Sequence, residues 1–83
     1  KELIASEDNI YVYPNPNKGE FFIQFNSNKN RTFEVYNSIG KLVLQSSTNN
    51  SNVQIDLTNN PRGIYFVKIS DENSTSIKKV VLK

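Results

Sequence analysis

The 83-residue chain has no cysteine, histidine, methionine or tryptophan, and only three glycines and three prolines. Without cysteine no disulfide can brace it, although a domain of this size buries only about 60–65% of the surface that its unfolded chain exposes. Stability has to come from well-paired strands or well-packed helices. The absence of both cysteine and histidine removes the ligands of most zinc, copper and iron sites, and leaves neither a Ser-His-Asp nor a Cys-His nucleophile. No metal and no cofactor is expected. No apolar run approaches the roughly 18 residues of a membrane-spanning helix, so no transmembrane segment is expected. Ten basic residues against eight acidic ones leave a formal net charge of +2, too little for the clustered basic face of a nucleic-acid binder.

Asparagine is abundant instead, with 13 residues, matched by 13 Ser and Thr. N-x-[ST] triplets occur at Asn30, Asn49 and Asn73, close to the roughly two that this composition produces by chance, and glycosylation is not inferred from them. The chain opens at Lys1 on "KELIASEDNI" with no initiator Met, which reads as a piece of a longer protein. Residues 1–9 are charged and without alternation, and are expected to be a linker.

Apolar residues alternate with polar ones, the pattern of half-buried strands. "IYVY" stops at Pro14. Phe21, Ile23 and Phe25 share one face of the next run; Phe33 and Val35 share a face of "RTFEVYN"; Gly40 can take positive φ in a reversal into "KLVLQSS". Val53, Ile55 and Leu57 alternate, then Tyr65, Val67 and Ile69, and "IKKVVLK" closes the chain. No segment carries an apolar stripe at helical spacing, and β-branched and aromatic residues fill the runs. About seven antiparallel strands with a turn every ten residues or so predict an all-β, immunoglobulin-like β-sandwich.

Several stretches invite a functional reading. In "YPNPNKG", Pro14, Pro16 and Gly19 predict a stiff, polyproline-like corner that carries the chain from one sheet to the other, or presents a rigid epitope. Ile64 and Phe66, on the outer face of their strand, would form an exposed apolar patch with Phe22. Asp56, Thr58 and Asn60 carry oxygens at a spacing of two, but without the bidentate acid of a calcium loop; Asp56 is expected to bond nearby backbone amides instead. Glu20, Glu34 and Asp56 fall on outward positions and Asp71 and Glu72 in a turn, so no carboxylate pair is gathered beside a nucleophile. Exposed Tyr11, Tyr13 and Tyr36 could stack on sugars, which makes a carbohydrate- or surface-binding sandwich the alternative reading. Lys78, Lys79 and Lys83 suit an edge strand that discourages edge-to-edge pairing.

Taken in order, "YPNPNKGEF", "VYNSIGKLV", "IDLTNNPRGIYFVKI" and "KKVVLK" resemble the C-terminal sorting domain of the type IX secretion system of Bacteroidetes. The resemblance runs from Ile10 to Lys83. It implies a non-catalytic signal attached to an N-terminal cargo domain. Such cargo crosses the periplasm and is then secreted or held at the outer-membrane surface. The implied partners are the type IX translocon and shuttle proteins of the outer membrane, and a sortase-like cysteine peptidase that removes the domain ahead of Ile10. The implied recognition motifs are Pro14, Pro16 and Gly19; Gly40; Gly63, Tyr65, Val67 and Ile69; and Lys78, Lys79 and Lys83. Asn60 departs from the family pattern, where leucine is common, and is expected to weaken local packing.

Overall fold

A computed structural model describes residues 10–83; the expected linker, residues 1–9, lies outside the described residues. Seven strands are observed: β1 (Tyr11–Tyr13), β2 (Glu20–Gln24), β3 (Arg31–Asn37), β4 (Leu42–Thr48), β5 (Asn52–Asp56), β6 (Gly63–Ser70) and β7 (Thr75–Leu82). They form two antiparallel sheets, β1-β2-β5 and β4-β3-β6-β7. The expected immunoglobulin-like sandwich is therefore present. Its fourth strand lies beside the third, as in variable-type domains.

The alternation in the sequence decides which side of each strand faces inward. Phe21 and Ile23 of β2, Phe33 and Val35 of β3, Ile55 of β5, and Tyr65, Val67 and Ile69 of β6 are all buried, and Phe25, Leu57, Val80 and Leu82 complete the core. Burying side chains of this size contributes roughly 1.5–3 kcal/mol each. The apolar triplet Leu42-Val43-Leu44 breaks the alternation, and the register shows why. Val35 pairs with Leu44 and Tyr36 with Leu42, so Val43 is the extra residue of a bulge; Val43 and Leu44 both pack against the core while Leu42 turns outward.

Arg31 is a buried charge that the pattern gives no hint of. It opens β3 at 2% exposure. Its guanidinium lies 3.9 Å from the centre of the Phe25 ring and donates to the Ser27 carbonyl at 3.0 Å and the Ser27 hydroxyl at 3.1 Å. Both terminal nitrogens thus donate to Ser27 while the flat face of the cation covers an aromatic ring.

Register divides the molecule into two poles. Tyr11 pairs with Gln24, Gln24 with Asn52, Arg31 with Thr48 and Ser70 with Thr75, so Ile10 and the loops at 25–30, 49–51 and 71–74 gather at one end. The connections at 14–19, 38–41 and 57–62 gather at the other, together with Lys83.

Two expectations are corrected here. The proline corner, in which the Tyr13–Pro14 and Asn15–Pro16 bonds are both cis, does not simply pass the chain between sheets, because β1 and β2 are neighbours in the same one. Phe22 is also separated from Ile64 and Phe66. It faces outward from the three-stranded sheet, stacked on Tyr13 with ring centres 5.7 Å apart, whereas they face outward from the other sheet.

At the Ile10 pole, Asp71 organises the β6–β7 turn. One carboxylate oxygen accepts from the Asn73 and Ser74 backbone amides, each at 2.8 Å, and the other lies 3.3 Å from Lys29 Nζ. These bonds, the Asn73 amide first, lower its pKa from 3.8 to about 2. A carboxyl whose folded pKa is depressed adds stability above its unfolded pKa and loses it as pH falls towards the folded value. The thermal midpoint should therefore fall between about pH 4 and pH 2 by the equivalent of roughly 1–2 kcal/mol from this group. Melting curves of the wild type and Asp71→Asn across that range check it: the variant should lack this part of the decline.

Candidate functional site

β7 is the edge strand of its sheet, so alternate residues direct their backbone N–H and C=O groups away from β6. Such a row is a template for another chain unless it is covered. The β1–β2 connection covers its last part. The Asn15 side chain behaves like a peptide group: Nδ2 donates to the Lys79 carbonyl at 2.9 Å, and Oδ1 accepts from the Val81 N–H at 3.0 Å. Asn17 continues with its own backbone. Its N–H donates to the Val81 carbonyl at 2.9 Å and its carbonyl accepts from the Lys83 N–H at 2.7 Å, which makes a parallel bridge to Leu82. The corner thus leaves the three-stranded sheet, clasps the edge of the other, and returns.

The clasp is held from within. Asn17 is 6% exposed; its Nδ2 donates to the Pro14 carbonyl at 3.0 Å and its Oδ1 accepts from the Gly19 N–H at 2.8 Å. Pro14 and Pro16, both exposed, fix φ on either side of Asn15 and have no N–H to leave unpaired. Gly19 has φ +125°, and a Cβ there would lie 2.8 Å from Thr58 Cγ2 and 2.9 Å from Thr58 Cα. Its carbonyl accepts from the Leu57 N–H at 2.7 Å. Only glycine meets both the dihedral and the close approach.

Thr58 belongs to the connection that follows β5, so the clasp leans directly on a second motif. There Asp56 Oδ1 accepts from the Thr58 amide at 2.9 Å and the Thr58 hydroxyl at 2.6 Å, as expected of Asp56. The hydroxyl bond, with the amide bond behind it, holds the carboxyl below its usual range. The turn at Leu57–Asn60 closes with Asn60 N–H donating to the Leu57 carbonyl at 2.9 Å, and Asn60 is half-buried. Gly63 takes φ +143° and leads to Tyr65, whose buried ring reaches back so that its hydroxyl donates to the Pro61 carbonyl. This is the tyrosine corner of immunoglobulin-like sandwiches. Arg62 donates to the Lys83 carbonyl, tying the same connection to the end of β7.

The central hairpin stands at this pole too. Asn37 N–H donates to the Lys41 carbonyl at 2.9 Å, and Asn37 Oδ1 accepts from the Ile39 and Lys41 amides at 3.1 and 2.9 Å. Gly40 has φ +88° and open space around it. Ile39 at the tip is 85% exposed.

The structure brings together Pro14, Pro16, Gly19, Gly63 and Lys83, and sets Gly40 at the same pole. Tyr65, Val67 and Ile69 are core residues facing inward along β6. The lysines are divided. Lys78 pairs with Val67 on the inner side of the sheet and is half-buried; Lys79 pairs with Phe66 on the outer side and is exposed. Asn15 and Asn17, which do the clasping, carry no weight in a reading built on prolines and glycine. Asn17 is locally detectable, since an Asn that bonds the amide two residues on is a recurrent turn device. Asn15 is not, because its partners are 64 and 66 residues away.

A shallow depression of about 380 Å³ beside the clasp is lined by Pro14, Pro16, Lys18, Glu20 and Thr58. A larger open cleft of about 850 Å³ lies at the opposite pole and holds none of the motif residues. Glu20 and Asp56 are cross-strand partners on the outer face of the three-stranded sheet, where both are exposed. The three tyrosines do not form one platform. Tyr11 and Tyr13 face out from that sheet, with Tyr13 stacked on Phe22, while Tyr36 lies on the other sheet and donates to Glu34 at 2.8 Å.

A family model described as "Secretion system C-terminal sorting domain" matches residues 11–83. The chain is also 28% identical over 75 residues to an ulvan lyase of Nonlabens ulvanivorans, an alignment that takes in 88% of this chain and 14% of that protein.

Two substitutions separate the forces at the clasp. Gly40→Ala meets only an unfavourable dihedral and should cost about 1 kcal/mol, whereas Gly19→Ala adds the collision with Thr58 and should cost about 2–3 kcal/mol. Asn15→Ala removes two hydrogen bonds and should cost about 1–2 kcal/mol. Thermal melting of the three variants checks the order, at roughly 4–8 °C per kcal/mol for a domain of this size.

Proposed function

Because the chain belongs to the family of type IX secretion C-terminal sorting domains, we propose that it is a non-catalytic address label which directs an attached N-terminal cargo through the outer-membrane translocon. The observation that carries this reading is the convergence of the family's motifs. The proline corner, the connection before Tyr65 and the end of β7 are joined by hydrogen bonds at one pole, with the Gly40 hairpin beside them, while the chain enters the fold at Ile10 on the other. A label has to keep its shape after folding and face away from its load, and this arrangement meets both demands.

On this reading the cargo reaches the periplasm by an N-terminal signal of its own. Translocon and shuttle proteins then engage the motif pole through Pro14, Pro16, Gly19, Gly40, Gly63 and the lysines Lys79 and Lys83. Tyr65, Val67, Ile69 and the half-buried Lys78 act from beneath, by holding that surface in place. A sortase-like cysteine peptidase then cuts ahead of Ile10, and the cargo is secreted or retained at the cell surface. A cut there falls before β1 and leaves every described core residue in the released domain. The chain spans 14% of the length of the ulvan lyase that it matches, in keeping with a small tag on a much larger protein. The domain itself performs no reaction in this account.

Fusion of residues 1–83 to a reporter with an N-terminal export signal, expressed in a host with the translocon, tests this. The reporter should appear outside the cell, and deletion of residues 79–83 should leave it in the periplasm. Undiminished export after the deletion contradicts the reading.

A further inference from the structure

The outer face of the four-stranded sheet changes character from one pole to the other. Nearest the Ile10 pole, the register sets Ser47, Thr32, Ser70 and Thr75 side by side, a row of hydroxyls. Towards the motif pole, Leu42, Tyr36 and Phe66 lie abreast across three strands, ending on Lys79, with Ile64 and Val81 beside them. Leu42 and Ile64 are each 42% exposed and Phe66 37%. These are large apolar side chains on a sheet face that no strand or loop among the described residues covers. None is needed to close the core, which lies on the other side of the same strands.

The charge around this patch has one dominant sign. Lys41 precedes Leu42, Lys79 is the register partner of Phe66, and Lys68 follows two residues along the same face. The single acid among them, Glu34, is already engaged, accepting from the Tyr36 hydroxyl at 2.8 Å and from Gln45 Nε2 at 3.2 Å. An apolar centre with a positive rim complements an apolar surface rimmed by carboxylates. It is poorly matched to itself, since a two-fold pairing would set the same lysine-rimmed face against its copy.

We propose that this half of the sheet face, centred on Phe66 and Ile64, is a docking surface for a partner protein whose contact patch is apolar at the centre and acidic at the rim. The inference rests on the sorting-domain reading and deepens it: the partner belongs to the export machinery, and it meets a sheet face adjoining the motif loops as well as the loops themselves. Such an interface draws most of its affinity from one or two central aromatic or aliphatic anchors, while the rim charges set approach and orientation.

Three variants of the reporter fusion test it. Ile64→Ser with Phe66→Ser removes the anchors, Lys41→Glu with Lys68→Glu reverses the rim without touching a motif lysine, and Ser47→Asp alters the hydroxyl row as a control. The first two should each lower exported reporter about tenfold, with thermal midpoints close to wild type, and the control should export normally. If the first variant does not fold, the charge reversal alone decides. Export of the folded variants at the wild-type level overturns the docking surface and leaves the sorting reading standing. Failure of the wild-type fusion to leave the cell removes both. A wild-type fusion that sediments as a dimer, and as a monomer once Phe66 is replaced, overturns the acidic partner by giving the face to a second copy of the chain.

Discussion

The whole arrangement depends on how one strand edge is closed. β7 ends the four-stranded sheet, and its outward backbone groups need partners from outside that sheet. A domain this small, with no disulfide, cannot leave its last strand to fray. The partners come from near the other end of the chain: the side-chain amide of Asn15 and the backbone of Asn17 bond to Lys79, Val81 and Lys83 in succession. The same loop fixes Gly19 against Thr58, and Arg62 reaches the Lys83 carbonyl. Three stretches far apart in sequence therefore form one rigid end, and loosening any of them exposes the others.

That physical coupling accounts for a sorting domain whose motifs are spread along the whole chain. Motif positions here divide into those that present a surface and those that hold it. Pro14, Pro16, Lys79 and Lys83 are exposed; Gly19, Tyr65, Val67 and Ile69 are buried and act through the geometry they impose. Even the lysine pair is divided: Lys79 faces out beside Phe66, while Lys78 points inward at a sheet edge, a placement that deters pairing with another strand. The separation of poles then follows from strand direction, since the seven antiparallel strands of the described residues place Ile10 at one end and Lys83 at the other.

Much of this was legible in the residues. Alternation locates β2, β3, β5 and β6 and assigns their inward faces, because one residue of slip would turn Phe21, Val35, Ile55 or Val67 into solvent, while short apolar and β-branched runs mark β1, β4 and β7. The glycine at position 40 announced the hairpin. What escaped has a common cause, namely partners distant in sequence. Asn15 looks like a loop residue until β7 lies beside it, and Arg31 looks like a surface cation until Phe25 and Ser27 enclose it. Pro14 and Pro16 by themselves predict a passage between sheets or a rigid epitope; the corner is a clasp that begins and ends in one sheet and touches the other midway. Outward position alone groups Phe22 with Ile64 and Phe66, and it cannot tell one outer face from the opposite one.

Amide hydrogen exchange along β7 tests the central claim most directly, because Ile77 and Val81 both direct their amides to the same edge of the same strand. If the Asn15–Asn17 loop closes that edge, the Val81 and Lys83 amides exchange far more slowly than the Ile77 amide. Equal exchange at Ile77 and Val81 would mean that the last strand is not held by the loop, and the motif pole would have no common structural basis.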